Sequence, residues 1–341
     1  MKNIKLSWYP YSLELKHAFN IALNSRTTTP VVMVEIDYDG LIGYGEASLP
    51  PYLPENQKSV HDFLSKIDLS QYDDITNLDL ILSDIDDLLP GNTAAKASID
   101  IALHDLAGKI NGVPVYKLYG AERKRVFTSF TIGIDSPEII LQKLKEADNF
   151  RIIKVKLGSS FDREIISTIR TATDKPIFAD ANQGWGNRKE ALDLIHWLHE
   201  RNVVLVEQPF PKANLEDTAW LTENSPIPII ADEAVQRLSD IDRLQHAYSG
   251  INIKLMKCTG ILEAYKMIKH ARELGLKVML GCMTETSCAI SAAAQLCSLA
   301  DWIDLDGNVL IKNDIFKGVD GADGTISPND LPGLGIIKIK N

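Results

Sequence analysis

RIIKVKLG, at residues 151–158, belongs to a series of short β-rich runs that decides the fold of this chain. Eight such runs alternate with helical segments: FTSFTIGI, RIIKVKLG, PIFADAN, VVLVEQP, IPIIADE, GINIKLMK, KVMLGCM and WIDLDG. Five consecutive runs carry a charged residue at or near their ends, and these residues lie 24, 27, 25 and 22 positions apart: Lys156, Asp180, Glu207, Asp232 and Lys254. A strand, a helix and two short loops need about that length. The pattern therefore predicts a (β/α)8 barrel.

A doubly wound open sheet is the competing fold for alternating strands and helices. That fold binds nucleotides through a Gly-rich strand–turn–helix fingerprint at its first β-α junction. The sequence has no such fingerprint at that junction, so the barrel is favoured.

The N-terminal part has a different texture. VVMVEIDYDGLIGYGEA, at residues 31–47, predicts a β-hairpin that turns at Asp39-Gly40, because Asp-Gly suits a turn with positive φ. Helical patterns dominate from Gln57 to about Lys109. We therefore expect an α+β domain over residues 1–115 that caps a barrel over residues 116–310, with residues 311–341 returning to the first domain.

Composition excludes several classes of function. The chain has 341 residues, of which 45% are hydrophobic, and a formal net charge of −10. This acidic balance argues against a nucleic-acid or anionic-membrane partner. The sequence has no run of about 18 apolar residues, and the N-terminal stretch alternates like a strand rather than a signal peptide. A cytoplasmic protein is expected.

Three carboxylates follow short apolar runs on consecutive predicted strands: Asp180, Glu207 and Asp232. At the mouth of a barrel they would converge and repel one another. A hard divalent cation with oxygen ligands removes that repulsion, and Mg²⁺ also keeps positions open for water and substrate. Alternatively, each carboxylate caps a helix or pairs with a lysine. Three in register favour a Mg²⁺ site.

Lysines flank this trio along the sequence. Lys154 and Lys156 alternate on one face of their strand, and Lys254 ends a strand on the opposite side of a regular barrel. A buried lysine beside a cation has a lowered pKa and can act as a base. The alternative is that Lys156 and Lys254 are ion-paired with the carboxylates. Lys257 is expected to be a solvated lysine at a helix start.

Five motifs together resemble the enolase superfamily and, within it, the muconate lactonizing enzyme subgroup. They are KVKLG (154–158), DANQGW (180–185), VEQP (206–209), ADE (231–233) and NIKLMKCTG (252–260). The resemblance implies that the three carboxylates bind Mg²⁺ and that Lys156 and Lys254 are the acid/base pair. It also implies that Lys154 holds the enolate oxygen or the substrate carboxylate, and that the protein is a homo-oligomer.

The sequence departs from the mandelate racemase-like pattern, which carries a histidine on the seventh strand paired with an aspartate on the sixth. Here the sixth strand ends in Lys254 and the seventh in Gly281-Cys282-Met283. Two lysines without a further acid for a leaving group suit 1,1-proton transfer, in which one removes an α-proton and the other returns one. Racemisation or epimerisation through an enediolate is therefore expected.

Asp304 and Asp306 share one face at the end of the eighth run, and a substrate ammonium would offset their charge. This pair resembles the D-x-D signature of dipeptide epimerases. That resemblance implies two further substrate contacts, from Thr131 and from Arg26. Arg26 is expected in a loop that closes over the site, where its guanidinium would bind a side-chain carboxylate of the substrate. Met283 is a candidate for the pocket wall, although a methionine at a strand end also suits the core.

The leading hypothesis is thus a dipeptide epimerase, with L-Ala-D/L-Glu from peptidoglycan recycling as the model substrate. The alternatives in the same subgroup are o-succinylbenzoate synthase and muconate cycloisomerase. Their substrates need no carboxylate pair to bind an ammonium. A catalytically inactive, metal-binding barrel is the alternative from another class.

Overall fold

A three-stranded antiparallel sheet begins the chain. The computed structural model describes residues 4–21 and 24–339. The sheet consists of β1 (Ile4–Ile21), β2 (Asn24–Tyr38) and β3 (Leu41–Ser48). Asp39 and Gly40 join β2 to β3 with φ of 50° and 88°, which confirms the predicted hairpin turn.

Four helices follow the sheet: α1 (Gln57–Leu64), α2 (Leu78–Leu88), α3 (Thr93–Ile110) and α4 (Val115–Leu118). The central helix α3 is buried from Ala94 to Gly108. It packs directly on β3, where a Cβ atom at Gly45 would lie 1.9 Å from the carbonyl oxygen of Ser98. Only glycine allows the sheet and the helix to approach this closely.

Eight parallel strands form the barrel and pair in chain order. They are β5 (Ser129–Ile132), β6 (Ile152–Lys156), β7 (Ile177–Asp180), β8 (Val203–Glu207), β9 (Ile229–Ala231), β10 (Gly250–Ile253), β11 (Lys277–Gly281) and β12 (Trp302–Asp304). Side chains help to close the seam between β5 and β12. The backbone N–H of Leu305 donates to Thr128 Oγ1 at 2.8 Å, and that of Thr131 donates to Asp306 Oδ2 at 2.6 Å.

Six helices connect these strands: α5 (Pro137–Glu146), α6 (Asp162–Arg170), α7 (Arg188–His199), α8 (Leu215–Asn224), α9 (Ile261–Glu273) and α10 (Ser287–Ala294). The predicted barrel is confirmed, but its helices are not fully regular. Two single-turn 3₁₀ helices, Leu238–Asp240 and Asp242–Leu244, replace the helix between β9 and β10. Among the described residues, no α-helix follows β12.

The interior of the barrel is apolar between the strands and charged at the carboxyl-terminal ends of the strands. Phe178, Leu205, Ile230 and Met279 form a separate buried cluster, contributed by β7, β8, β9 and β11. Alternate residues of a strand share a face. The side chains two positions after the first three of these are Asp180, Glu207 and Asp232. The strand period therefore brings the acids to the carboxyl-terminal mouth.

The C-terminal segment runs back along the N-terminal sheet. Its short strands are β13 (Phe316–Lys317), β14 (Thr325–Ile326) and β15 (Ile337–Lys338), and β14 pairs with β4 (Val126–Phe127). Leu15 forms a β-bridge with Ile311, and Lys338 forms a 2.5 Å ion pair with Glu35. The domain boundaries themselves stay a prediction. Within the described ranges, no helix has both the length and the apolar character needed to cross a membrane.

Candidate active site

Asp180, Glu207 and Asp232 converge at the barrel mouth. One carboxylate oxygen from each lies within 4.8 Å of the others, and all three side chains are buried. Asp180 and Glu207 end β7 and β8, and Asp232 follows β9 directly. The parallel strands therefore bring together the three acids that the sequence predicts as metal ligands.

Lys154 lies among these acids. Its Nζ donates to Glu207 Oε2 and to Asp304 Oδ2, each at 2.7 Å, and lies 3.2 Å from Asp180 Oδ2. Burial disfavours its charge, but the surrounding carboxylates, that of Asp304 foremost, raise its pKa well above the ordinary value. Lys154 is thus a fixed positive charge at the mouth of the barrel.

The three acids differ in their electrostatics. Burial, followed by the charge of Asp180, raises the pKa of Glu207 to about 8. Burial acts in the same direction on Asp232, but Lys254 and Lys257 outweigh it and hold the pKa of that carboxyl well below its usual range. A carboxylate that is destabilised by its neighbours gains most from a bound cation.

The donor set fits a magnesium ion. All three side chains offer carboxylate oxygen, the ligand type that hard divalent cations prefer, and their oxygens are near enough to share one ion. Glu207 is further oriented by Asn252, whose Nδ2 donates to Glu207 Oε1 at 2.8 Å. Asp180, Glu207 and Asp232 would hold the ion, with Asn252 supporting them.

Lys156 and Lys254 lie on opposite sides of this trio. Lys156 ends β6 and its Nζ lies 2.6 Å from Asp180 Oδ2, whereas Lys254 follows β10 and its Nζ lies 2.6 Å from Asp232 Oδ2. In an eight-stranded barrel, β6 and β10 are four strands apart and face each other. The ion pairs considered as an alternative from the sequence are thus present, and both ammonium groups also reach the cavity.

Lys254 does not carry a lowered pKa in this arrangement. Burial opposes its charge, but Asp232 and Glu207 more than offset that effect and raise its pKa well above the ordinary value. These two acids are metal candidates as well. The lowered pKa expected of a base therefore stays a prediction for the metal-loaded protein.

Lys257 is buried, so the expectation of a solvated helix-start lysine is wrong. Its Nζ lies 2.5 Å from Asp232 Oδ1, 2.6 Å from the Asp232 carbonyl oxygen and 3.2 Å from the Asn252 carbonyl oxygen. The helix begins only at Ile261, and the intervening turn points this lysine into the barrel mouth. Lys257 thus holds the second carboxylate oxygen of Asp232, while Lys254 holds the first.

A cavity of about 450 Å³ covers the barrel mouth. Nine of the residues selected from the sequence line it: Arg26, Thr131, Lys154, Lys156, Asp232, Lys254, Met283, Asp304 and Asp306. A larger open groove of about 870 Å³ lies between α2 and α9. None of the site residues predicted from the sequence lines this groove, and several of its charged side chains are ion-paired, as Lys96 is with Asp86. The chemistry therefore belongs to the smaller cavity.

Asp304 and Asp306 have different surroundings. Asp304 accepts hydrogen bonds from Lys154 Nζ and from Ser129 Oγ, the latter at 2.5 Å, so its charge is satisfied within the protein. Asp306 accepts from the backbone N–H of Thr131. Burial and then the charge of Asp304 raise the pKa of Asp306 to about 7. Asp306 is therefore the carboxylate with more to gain from an incoming ammonium.

Arg26 lies on β2 rather than in a loop, which corrects the expectation from the sequence, because pairing with β1 continues to Asn24. Residues 22 and 23 lie outside the described residues. The Arg26 guanidinium lies 4.8 Å from the centre of the Phe19 ring and donates to Thr284 Oγ1 at 3.2 Å. Its Nη1 is buried without a hydrogen-bond partner in the protein.

Met283 is both a wall residue and a packing residue. It is buried, it lines the cavity, and its sulfur accepts a hydrogen bond from the Tyr52 hydroxyl at 3.1 Å. Tyr52 and Thr284 also line the cavity, and no motif singled them out. Asn252 was accessible to prediction, because it alternates with Lys254 in NIK and so shares its face.

Models of two protein families match the chain. Residues 8–120 match the mandelate racemase / muconate lactonizing enzyme N-terminal domain, and residues 140–337 match the enolase C-terminal domain-like family. The chain therefore belongs to the mandelate racemase/muconate lactonizing enzyme group of the enolase superfamily. Among the described residues, no histidine lines the cavity, as it would in a member with a histidine base.

Known members of this family are similar over most of their length. The chain is 56% identical over 338 residues to the L-Ala-D/L-Glu epimerase of Bacteroides thetaiotaomicron, covering 98% of this chain and 88% of the relative. A substrate-liganded L-Ala-D/L-Glu epimerase from Bacillus subtilis superposes with a TM-score of 0.92 at 31% identity, covering 100% of both chains. A dipeptide epimerase from Enterococcus faecalis V583, complexed with Mg and L-Leu-L-Tyr, gives 0.91 at 32% identity, covering 98% and 99%.

Proposed function

We propose that this protein is a Mg²⁺-dependent dipeptide epimerase that inverts the α-carbon of the C-terminal residue, with L-Ala-D/L-Glu as its substrate. The observation that carries the proposal is the placement of two lysines. Lys156 and Lys254 enter one cavity from opposite walls of the barrel, and the acidic trio lies between them.

Inversion needs one base on each face of a planar intermediate. Lys156 or Lys254, as the free amine, removes the α-proton, and the substrate becomes an enediolate. The ammonium on the other face then delivers a proton to the same carbon. Because the two lysines exchange roles, the reaction runs in both directions.

The enediolate carries two negative charges on its oxygens, so the barrier depends on stabilising that charge. The buried ammonium of Lys154 supplies a fixed positive charge beside the acidic trio. A bound Mg²⁺ supplies Lewis acidity toward the substrate carboxylate. Lys257 and Asn252 keep two of the ligands in place.

The two ends of the dipeptide have matching partners in the cavity. Asp306, which is buried at the mouth and bonded to the Thr131 backbone, suits the N-terminal ammonium. Arg26 keeps one buried guanidinium N–H group without a partner, and this group suits a side-chain carboxylate on the C-terminal residue. Met283 and Tyr52, which are joined by a hydrogen bond, supply part of the wall of the same cavity.

Conversion of purified L-Ala-L-Glu to L-Ala-D-Glu in the presence of Mg²⁺, followed by chiral chromatography, tests the proposal. Conversion should stop on addition of EDTA and resume when excess Mg²⁺ is restored. Turnover of a succinyl-cyclohexadiene substrate alone would instead identify an o-succinylbenzoate synthase. Thermal stabilisation by Mg²⁺ without α-proton exchange on any dipeptide would identify an inactive metal-binding barrel.

A further inference from the structure

The loop between β11 and α10, residues 282–286, forms part of the wall that faces the substrate side chain. Met283 and Thr284 of this loop line the cavity. Thr284 Oγ1 accepts a hydrogen bond from Arg26 Nη2 at 3.2 Å. The position of this loop therefore helps to decide where the Arg26 guanidinium points.

A buried carboxylate from the N-terminal sheet holds the far end of this loop. Glu46 of β3 is fully buried and accepts hydrogen bonds from the N–H of Thr286 at 3.0 Å, from the Thr286 hydroxyl, and from the N–H of Ala289 at 3.4 Å. Thr286 is the N-cap residue of α10. Glu46 thus ties the start of a barrel helix to a strand of the other part of the molecule.

A second contact from the same strand holds the middle of the loop. Ser48 lies two residues after Glu46, and its hydroxyl donates to the carbonyl oxygen of Thr284 at 2.7 Å. Because β3 contacts the loop at Thr284 and at Thr286, any shift of the sheet against the barrel moves the wall of the side-chain pocket. Side chains two residues apart on a strand share a face, which allows both contacts.

We propose that Glu46 is a positioning residue for side-chain specificity: it fixes the β11–α10 loop so that Thr284 aligns Arg26 with a substrate carboxylate. Glu46 does not line the cavity, so it acts through the loop. This inference rests on the proposed epimerase function and adds to it the element that couples the N-terminal sheet to substrate choice.

The test compares two substrates that differ in charge but not in shape, L-Ala-L-Glu and L-Ala-L-Gln. The measured quantity is the ratio of their kcat/KM values, obtained from α-proton exchange. Glu46→Ala should lower this ratio about tenfold, mainly through a higher KM for L-Ala-L-Glu, because a misaligned guanidinium loses a charged hydrogen bond. Glu46→Gln keeps a carbonyl acceptor for Thr286 and should restore most of the ratio.

Asp105→Ala is the matched control. Asp105 is also a fully buried carboxylate that accepts backbone N–H groups, from Tyr44 and Leu334, and neither partner lines the cavity. This variant should lose stability without a change in the ratio. Ser48→Ala, a milder change on β3 that removes one contact with the same loop, should lower the ratio about threefold and serves if Glu46→Ala does not fold.

The outcomes separate the two proposals. If wild-type protein exchanges the α-proton of neither dipeptide, the proposed function fails. The positioning role requires that the wild type prefers L-Ala-L-Glu and that folded Glu46→Ala loses this preference. If Glu46→Ala, or Ser48→Ala in its place, keeps the wild-type ratio of kcat/KM values within twofold, the positioning role is refuted. An equal loss of the ratio in Asp105→Ala would also refute it, because the effect would then follow from destabilisation in general.

Discussion

Replacing Asp306 with asparagine tests which group receives the substrate ammonium. The amide oxygen of asparagine can still accept the Thr131 N–H bond, so the change removes charge with little loss of structure. A hydrogen bond between charged groups contributes about 1.5–3 kcal/mol. Asp306 is only 3% exposed, so water cannot readily replace it. Since about 1.4 kcal/mol corresponds to tenfold, kcat/KM for L-Ala-L-Glu should fall about 10- to 150-fold.

The assay pairs the variant with a substrate that lacks the ammonium. Propionyl-L-Glu has the same length as L-Ala-L-Glu but no amino group, so Asp306→Asn should change its α-proton exchange rate by less than about threefold. Asp304→Asn is the matched control. Asp304 binds Lys154, whose positive charge stabilises the enediolate formed from either compound. Asp304→Asn should therefore slow both compounds alike. An equal loss on both compounds in Asp306→Asn would refute the assignment and leave Asp306 a structural role.

Three further predictions concern pH, the two bases and stability. The pKa of Asp306 is raised to about 7, and only its ionised form attracts an ammonium, whereas the substrate α-amino group loses its proton with a pKa of about 8. The kcat/KM for L-Ala-L-Glu, relative to propionyl-L-Glu, should therefore rise about fivefold from pH 6 to 7; parallel profiles would contradict this. Lys156→Ala and Lys254→Ala should each abolish epimerisation. Each variant should still exchange the α-proton of one epimer, and the two variants should act on opposite epimers, as detected by mass spectrometry in deuterium oxide. Exchange on the same epimer in both variants would contradict opposed bases. Lys257→Met removes one partner of the buried Asp232 carboxylate and should lower the free energy of unfolding in urea by about 3–5 kcal/mol. The control, Lys266→Met, breaks an exposed ion pair and should cost about 0–1 kcal/mol. Equal losses would show that Lys257 is not a structural cation.

Strand periodicity made the barrel and the acidic trio predictable. Asp180 and Glu207 end short apolar runs, and the period of two places each of them above an apolar residue of the barrel interior. Local pattern therefore contains most of the information on where these groups point. The same period places Asn252 on the face of Lys254, where its side chain donates to Glu207.

Features that depend on turns were harder to predict. Lys257 follows β10 within a turn, and its direction depends on how far the chain continues before α9 begins. Arg26 is similar, since polar residues near a predicted connection suggest a loop, whereas pairing with Phe19 keeps it in a strand.

Contacts between distant parts of the chain leave no sequence pattern. Glu46 lies within an apolar hairpin and caps a helix 240 residues later. Asp100 of α3 likewise accepts the N–H of Ile261, at the start of α9, at 2.6 Å. Such carboxylates resemble ordinary acidic residues until the packing of the sheet and α3 on the barrel is known.

Proton NMR of the reaction in deuterium oxide tests the two-base account most directly. At early times the product epimer of L-Ala-L-Glu should carry deuterium at the glutamate α-carbon, while the remaining substrate still carries protium. That outcome requires removal from one face and delivery from the other. A product that keeps the substrate's own α-proton at early times would contradict two opposed lysines.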